Sequence, residues 1–60
     1  MIGVSCVIPA YNEAARIAGV LEAVTRHPLI NEVIVVDDGS TDETPNVVAK
    51  FRQVDLYQRP

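Results

Sequence analysis

Cysteine is nearly absent from this 60-residue chain; Cys6 is the only one. An intramolecular disulfide is therefore excluded, and no Cys/His spacing suits zinc. A reduced, cytoplasmic setting fits that usage. No apolar run approaches the ~20 residues needed to span a bilayer. The opening "MIGVSCVIPA" also lacks the basic n-region and longer apolar core of a signal peptide. Positive charge is scarce: five Lys and Arg stand against eight Asp and Glu, interspersed, for a net charge of −3. That leaves no basic stripe for nucleic acid and no basic amphipathic helix for a membrane surface. Glycine is rare too, with three residues, none of them in "PAYNEA". A G-x-G-x-x-G dinucleotide turn and a P-loop are both excluded there.

What is present reads as a short α/β chain of one domain at most. A chain of this length buries only about 60% of the surface it exposes when unfolded, and no staple compensates. "VSCVIPA" (Val4 to Ala10) is apolar, β-branched and without alternation, the pattern of a buried strand. Asn12 is placed to cap a helix, with Glu13 in its first turn. Ile17, Val20, Leu21 and Val24 keep the spacing of one buried stripe. Pro28 ends this helix near His27. "EVIVVDD" (Glu32 to Asp38) is a second strand, and "GSTDETP" a turn rich in caps. Ser40, Thr41 or Thr44 could cap the helix that follows, with Pro45 in its first turn. Val47, Val48 and Phe51 supply its apolar face, and "VDLYQ" (Val54 to Gln58) is a third strand.

The order β-α-β-α-(β) implies a parallel sheet with helices packed on its faces. In a doubly wound sheet the first strand is central, with strands two and three to one side. Nothing here pairs with its other edge, and natural domains cover such edges. The expectation is therefore the front of a larger, here incomplete, Rossmann-like domain, occupying residues 1–60.

Ligands of open parallel sheets bind outside the carboxyl ends of the strands. There the chain carries "PAYNE" after strand one and "DDGST" after strand two. Tyr11 offers a flat ring for a nucleobase, whose stacking is worth roughly 1–3 kcal/mol. A carboxylate is a pure acceptor, so an Asp at the end of strand two suits the ring N–H of uracil or guanine. Glu13 suits ribose hydroxyls. A ring, an acceptor for the base and an acceptor for the sugar make a nucleoside pocket.

"VSCVIPAYNEAARIAGVL" followed by "NEVIVVDDGSTDET" resembles the N-terminal motif pair of family 2 glycosyltransferases, inverting enzymes of the GT-A fold. The resemblance implies that Pro9, Ala10 and Tyr11 line the base and that Glu13 contacts the nucleoside. Asp38 would accept from the base N–H, while Asp37 and Gly39 turn the chain. The donor would be a UDP- or GDP-linked sugar. The acceptor (polysaccharide, lipid carrier or small molecule) stays open, and a membrane-associated parent is compatible with the family. A later D-x-D motif in such enzymes holds Mg²⁺ or Mn²⁺, and a further carboxylate serves as base. Neither has a counterpart in these residues, so the 60 residues alone are expected to be inactive and no catalytic or metal residue is assigned.

Blander roles compete. Asp before Gly commonly starts a turn, Tyr11 can pack on its helix, and Glu13 can be only a first-turn charge. Ser40 and Thr41 read as caps, His27 as a cation at a helix end, Cys6 as a small core residue, and Arg16 and Arg26 as solvated face. A receiver-like signalling domain, with an acidic pair binding Mg²⁺, is the alternative from another class. Its acidic pair belongs after the first strand, whereas here the pair follows the second.

Overall fold

In a computed structural model, residues 3–60 are described, and the element order is β1 (Val4–Ala10), α1 (Ala14–Thr25), β2 (Ile30–Asp38), α2 (Thr44–Ala49) and β3 (Val54–Arg59). The strands form one parallel sheet in the order β1-β2-β3. Register aligns Cys6 with Val33, Ile8 with Val35 and Ala10 with Asp37; across the other side of β2, Val33 faces Val54 and Asp38 faces Arg59. The expected β-α-β-α-β start of a Rossmann-like domain is what forms. β2 is the middle strand, and β1 has one edge with no partner among the described residues.

Helices α1 and α2 touch each other and pack on the same side of the sheet. Strand side chains alternate between faces, so Val33, Val35 and Asp37 of β2 turn toward the helices and are buried. They join Ala10, Ile17, Leu21, Val48 and Val54 in the core, with Leu21, Val35 and Val48 fully enclosed. Among the described residues both helices lie on that one face. On the opposite face, Val7 is 60% exposed and Tyr57 60%; at the start of β1, Val4, expected in a buried strand, is exposed as well.

Local boundaries shift for identifiable reasons. β2 starts at Ile30, two residues before Glu32, where the chain emerges from a turn closed by the Ile30 N–H donating to the His27 carbonyl at 3.2 Å. The α1 stripe buries Ile17 and Leu21, but Val20 lies 44% exposed beside the free edge of β1. Glu13 rather than Asn12 occupies the N-cap position of α1. Helix α2 begins one residue earlier than a Thr44 cap requires: Glu43 is the N-cap and Thr44 the first helical residue, with Ser40 and Thr41 outside the helix. Neither helix is long or apolar enough to cross a membrane.

Candidate functional site

The carboxyl ends of β1 and β2 lie side by side because Ala10 and Asp37 are register partners. Past them the chain turns twice, and each turn uses a left-handed residue. Gly39 has φ 77°, which glycine adopts without steric cost. Asn12 has φ 50°, a conformation that Asn tolerates better than most residues.

Asp37 and Asp38 then part company. Asp37 is 2% exposed, and its carboxylate accepts the Ser40 N–H at 3.3 Å and the Ser40 hydroxyl. It braces the turn from inside. Asp38 points to the other face, exposed, with one oxygen 3.8 Å from Arg59 Nε. Adjacent strand residues project to opposite faces, so these two carboxylates do not converge on one ion. Among the described residues no group of three or more His, Cys, Asp or Glu is arranged to hold a metal. The residues present do not fit Mg²⁺ or Mn²⁺, and the geometric basis for a receiver-like acidic pair disappears.

The two loops are stitched together by side chains capping across the gap. The Asn12 N–H donates to Ser40 Oγ at 2.8 Å, and Asn12 Oδ1 accepts the Thr41 N–H at 2.8 Å. Thr44, fully buried, accepts the Glu13 N–H at 2.8 Å and donates its hydroxyl to Asp42 Oδ1. Asp42 accepts the Thr44 N–H at 2.9 Å on one oxygen and the Ala14 N–H at 3.3 Å on the other. One carboxylate therefore serves the first turns of both helices, a favourable place for negative charge. The Thr44 hydroxyl, with help from the amides of Thr44 and Ala14, holds the Asp42 carboxyl below its ordinary range. Since α1 takes its caps from the other loop, Asn12 is released to bridge instead.

Tyr11 is 57% exposed at the rim. The Glu13 carboxylate pairs with Arg16 one turn on, where Arg16 Nε donates to Oε1 at 3.1 Å. Glu13 and Pro9 also line a groove of about 140 Å³ between β1 and α1, together with Ile8, Arg16, Ile17 and Val20. Ala10 is 4% exposed and sits in the core behind the loop. Thus Pro9 and Glu13 meet in the groove, Tyr11 stands at the strand end, and Asp38 lies with Arg59 on the open face.

The family model for glycosyl transferase family 2 matches residues 5–60. This chain belongs to glycosyl transferase family 2. Among curated relatives of this chain, the uncharacterized glycosyltransferase YaiP of Escherichia coli K12 is 42% identical over 50 residues, which is 83% of this chain and 13% of the relative. The 4,4'-diaponeurosporenoate glycosyltransferase of Staphylococcus aureus USA300 is 42% identical over 45 residues, 75% of this chain and 12% of the relative. The chain thus spans a small part of the length of the curated relatives it matches. No solved structure matches it significantly.

Within this chain, four side chains of the site region besides Asn12 were not assigned there from sequence. Ser40, Asp42 and Thr44 form the stitching, and their only signal was a surplus of capping residues in "GSTDET" that one helix cannot use. Arg59 reaches Asp38 through β-sheet register, for which the sequence holds no local signal.

Proposed function

We propose that this chain binds the nucleoside part of a UDP- or GDP-sugar at the carboxyl ends of β1 and β2. It does so as part of an inverting glycosyltransferase that passes the sugar to an acceptor hydroxyl. The observation that carries the reading is the division of labour between two neighbouring aspartates. Asp37 is consumed by Ser40 inside the fold, whereas Asp38 is exposed at the strand end next to the loop bearing an exposed Tyr11. Its contact with Arg59 is long and solvated, the kind of ion pair worth little and easily given up to a ligand.

In this role Tyr11 stacks on the base, with Pro9 and Ala10 beside it. Asp38 accepts the ring N–H of the base. Glu13 accepts from the ribose through Oε2, the oxygen that Arg16 does not engage. Mg²⁺ or Mn²⁺ on the donor diphosphate would be held by carboxylates other than Asp37 and Asp38. The chain's own contribution is binding and orientation, not proton transfer.

The test is a ¹H–¹⁵N spectrum of the chain with and without UDP or GDP. Shifts at Tyr11, Glu13 and Asp38 are expected, and Asp38→Ala should weaken binding at least tenfold, about 1.5 kcal/mol for a hydrogen bond to a charged group. A dispersed spectrum that ignores both nucleotides overturns the reading. A spectrum without dispersion overturns the claim that this chain carries a preformed pocket.

A further inference from the structure

Asn12 is the one non-glycine with positive φ among the described residues. Backbone held in a sparsely populated region persists only where its surroundings impose it. Here both restraints come from the segment after β2. The Asn12 N–H is fixed on Ser40 Oγ, and its side-chain oxygen on the Thr41 N–H. Ser40 is itself anchored, since its hydroxyl and its N–H both donate to the buried Asp37 carboxylate. A continuous line of hydrogen bonds therefore runs from a carboxylate in the sheet to the residue between Tyr11 and Glu13.

We propose that Ser40 is a positioning residue of the nucleoside pocket. Through its hydroxyl the buried Asp37 imposes the left-handed backbone of Asn12, and this sets where Tyr11 and Glu13 stand relative to each other. The consequence for binding rests on the nucleoside reading above; the coupling between Ser40 and Asn12 does not. Serine is suited to the task because a hydroxyl has one hydrogen to give and lone pairs to spare. Asp37, an acceptor only, takes the hydrogen, and that leaves a lone pair for the Asn12 N–H. Alanine at position 40 removes the relay, whereas threonine keeps it. Glycine at position 12 makes the relay dispensable, because glycine enters positive φ unaided.

The experiment uses the labelled 60-residue chain and its variants Ser40→Ala, Ser40→Thr, Asn12→Gly and the double variant Asn12→Gly/Ser40→Ala. Each is titrated with UDP and with GDP. Asn12 conformation is read from its Cα shift and HN–Hα coupling in the variants that keep it, and Kd from the amides of Tyr11 and Glu13. Ser40→Ala should move Asn12 out of the left-handed region and raise Kd about tenfold. Ser40→Thr and Asn12→Gly should keep the parent affinity, and the double variant should recover most of what Ser40→Ala loses. General loosening or a lost ligand contact would not be rescued in that way. The proposal is overturned if Asn12 keeps its conformation in Ser40→Ala, if the double variant stays as weak as Ser40→Ala, or if Asn12→Gly alone loses affinity. A parent chain that binds neither nucleotide overturns the nucleoside reading instead, and the response of Asn12 to Ser40→Ala still decides the coupling.

Discussion

The two faces of β2 are built from nearly the same residues and meet different fates. Val33, Val35 and Asp37 lie under the helices and are buried, while Ile34 and Val36 are half-covered and Asp38 is exposed. The flanking strands repeat the contrast: Ile8 and Leu56 pack against the core, whereas Val7 and Tyr57 lie open. Apolar composition therefore marks what a strand is able to bury, not what covers it. The contrast also assigns the two aspartates. The carboxylate on the helix side is enclosed and must be satisfied by protein donors, which makes it structural. Its neighbour is exposed, with only a long, solvated contact to Arg59, and in the proposed reading it is the one that accepts from the base.

Core truncation should separate the two faces most sharply. Leu21→Ala, at a fully enclosed position, is expected to cost about 2–5 kcal/mol. That is most of the stability available at about 0.05–0.15 kcal/mol per residue. Val7→Thr on the open face should stay within about 0.5 kcal/mol. Urea or thermal unfolding of both variants makes the comparison. A concentration-dependent loss in Val7→Thr similar to that of Leu21→Ala would mean that the open face is covered by another copy in solution.

The stitching between the loops should come next. Thr44→Val keeps the shape but strands the Glu13 N–H and removes a donor from Asp42, for an expected cost of about 1–3 kcal/mol. Hydrogen exchange at Glu13 and Ala14 should accelerate along with it. Unchanged exchange would show that α1 does not depend on the second loop.

The smallest effect is electrostatic. Asp42 has a folded-state carboxyl below the ordinary 3.8, held there first by the Thr44 hydroxyl. Its contribution is fully present above 3.8 and is lost as the pH falls through the lower folded value. The stability difference between the parent and Asp42→Asn should thus be constant near neutrality and shrink on acidification below about pH 4. Acid titration of both proteins by circular dichroism reads this, and a flat difference would remove Asp42 from the pH response.

Much of this architecture was legible because it is written in local chemistry. β-branched runs ending at Pro9 and at "DDG", the i, i+3, i+4 placement of Ile17 and Leu21, and Pro28 marking an end all act over a few residues. Even the divergence of Asp37 and Asp38 follows from the two-residue period of a strand. The cap of α1 is not legible, for the complementary reason. Asn12 has the right side chain in the right place, and nothing local reveals that Thr44 and Asp42, about thirty residues on, supply those bonds instead.

By itself, then, the sequence determined the order and type of the elements and the motif pair that places the chain in its family, since both depend on near neighbours along the chain. Tertiary structure alone decided which sheet face lies open, that Arg59 comes to stand by Asp38, and that Ser40 bridges to Asn12 rather than capping a helix. Those outcomes depend on register and on the parallel approach of β1 and β2, which bring together groups with no local relation in the chain.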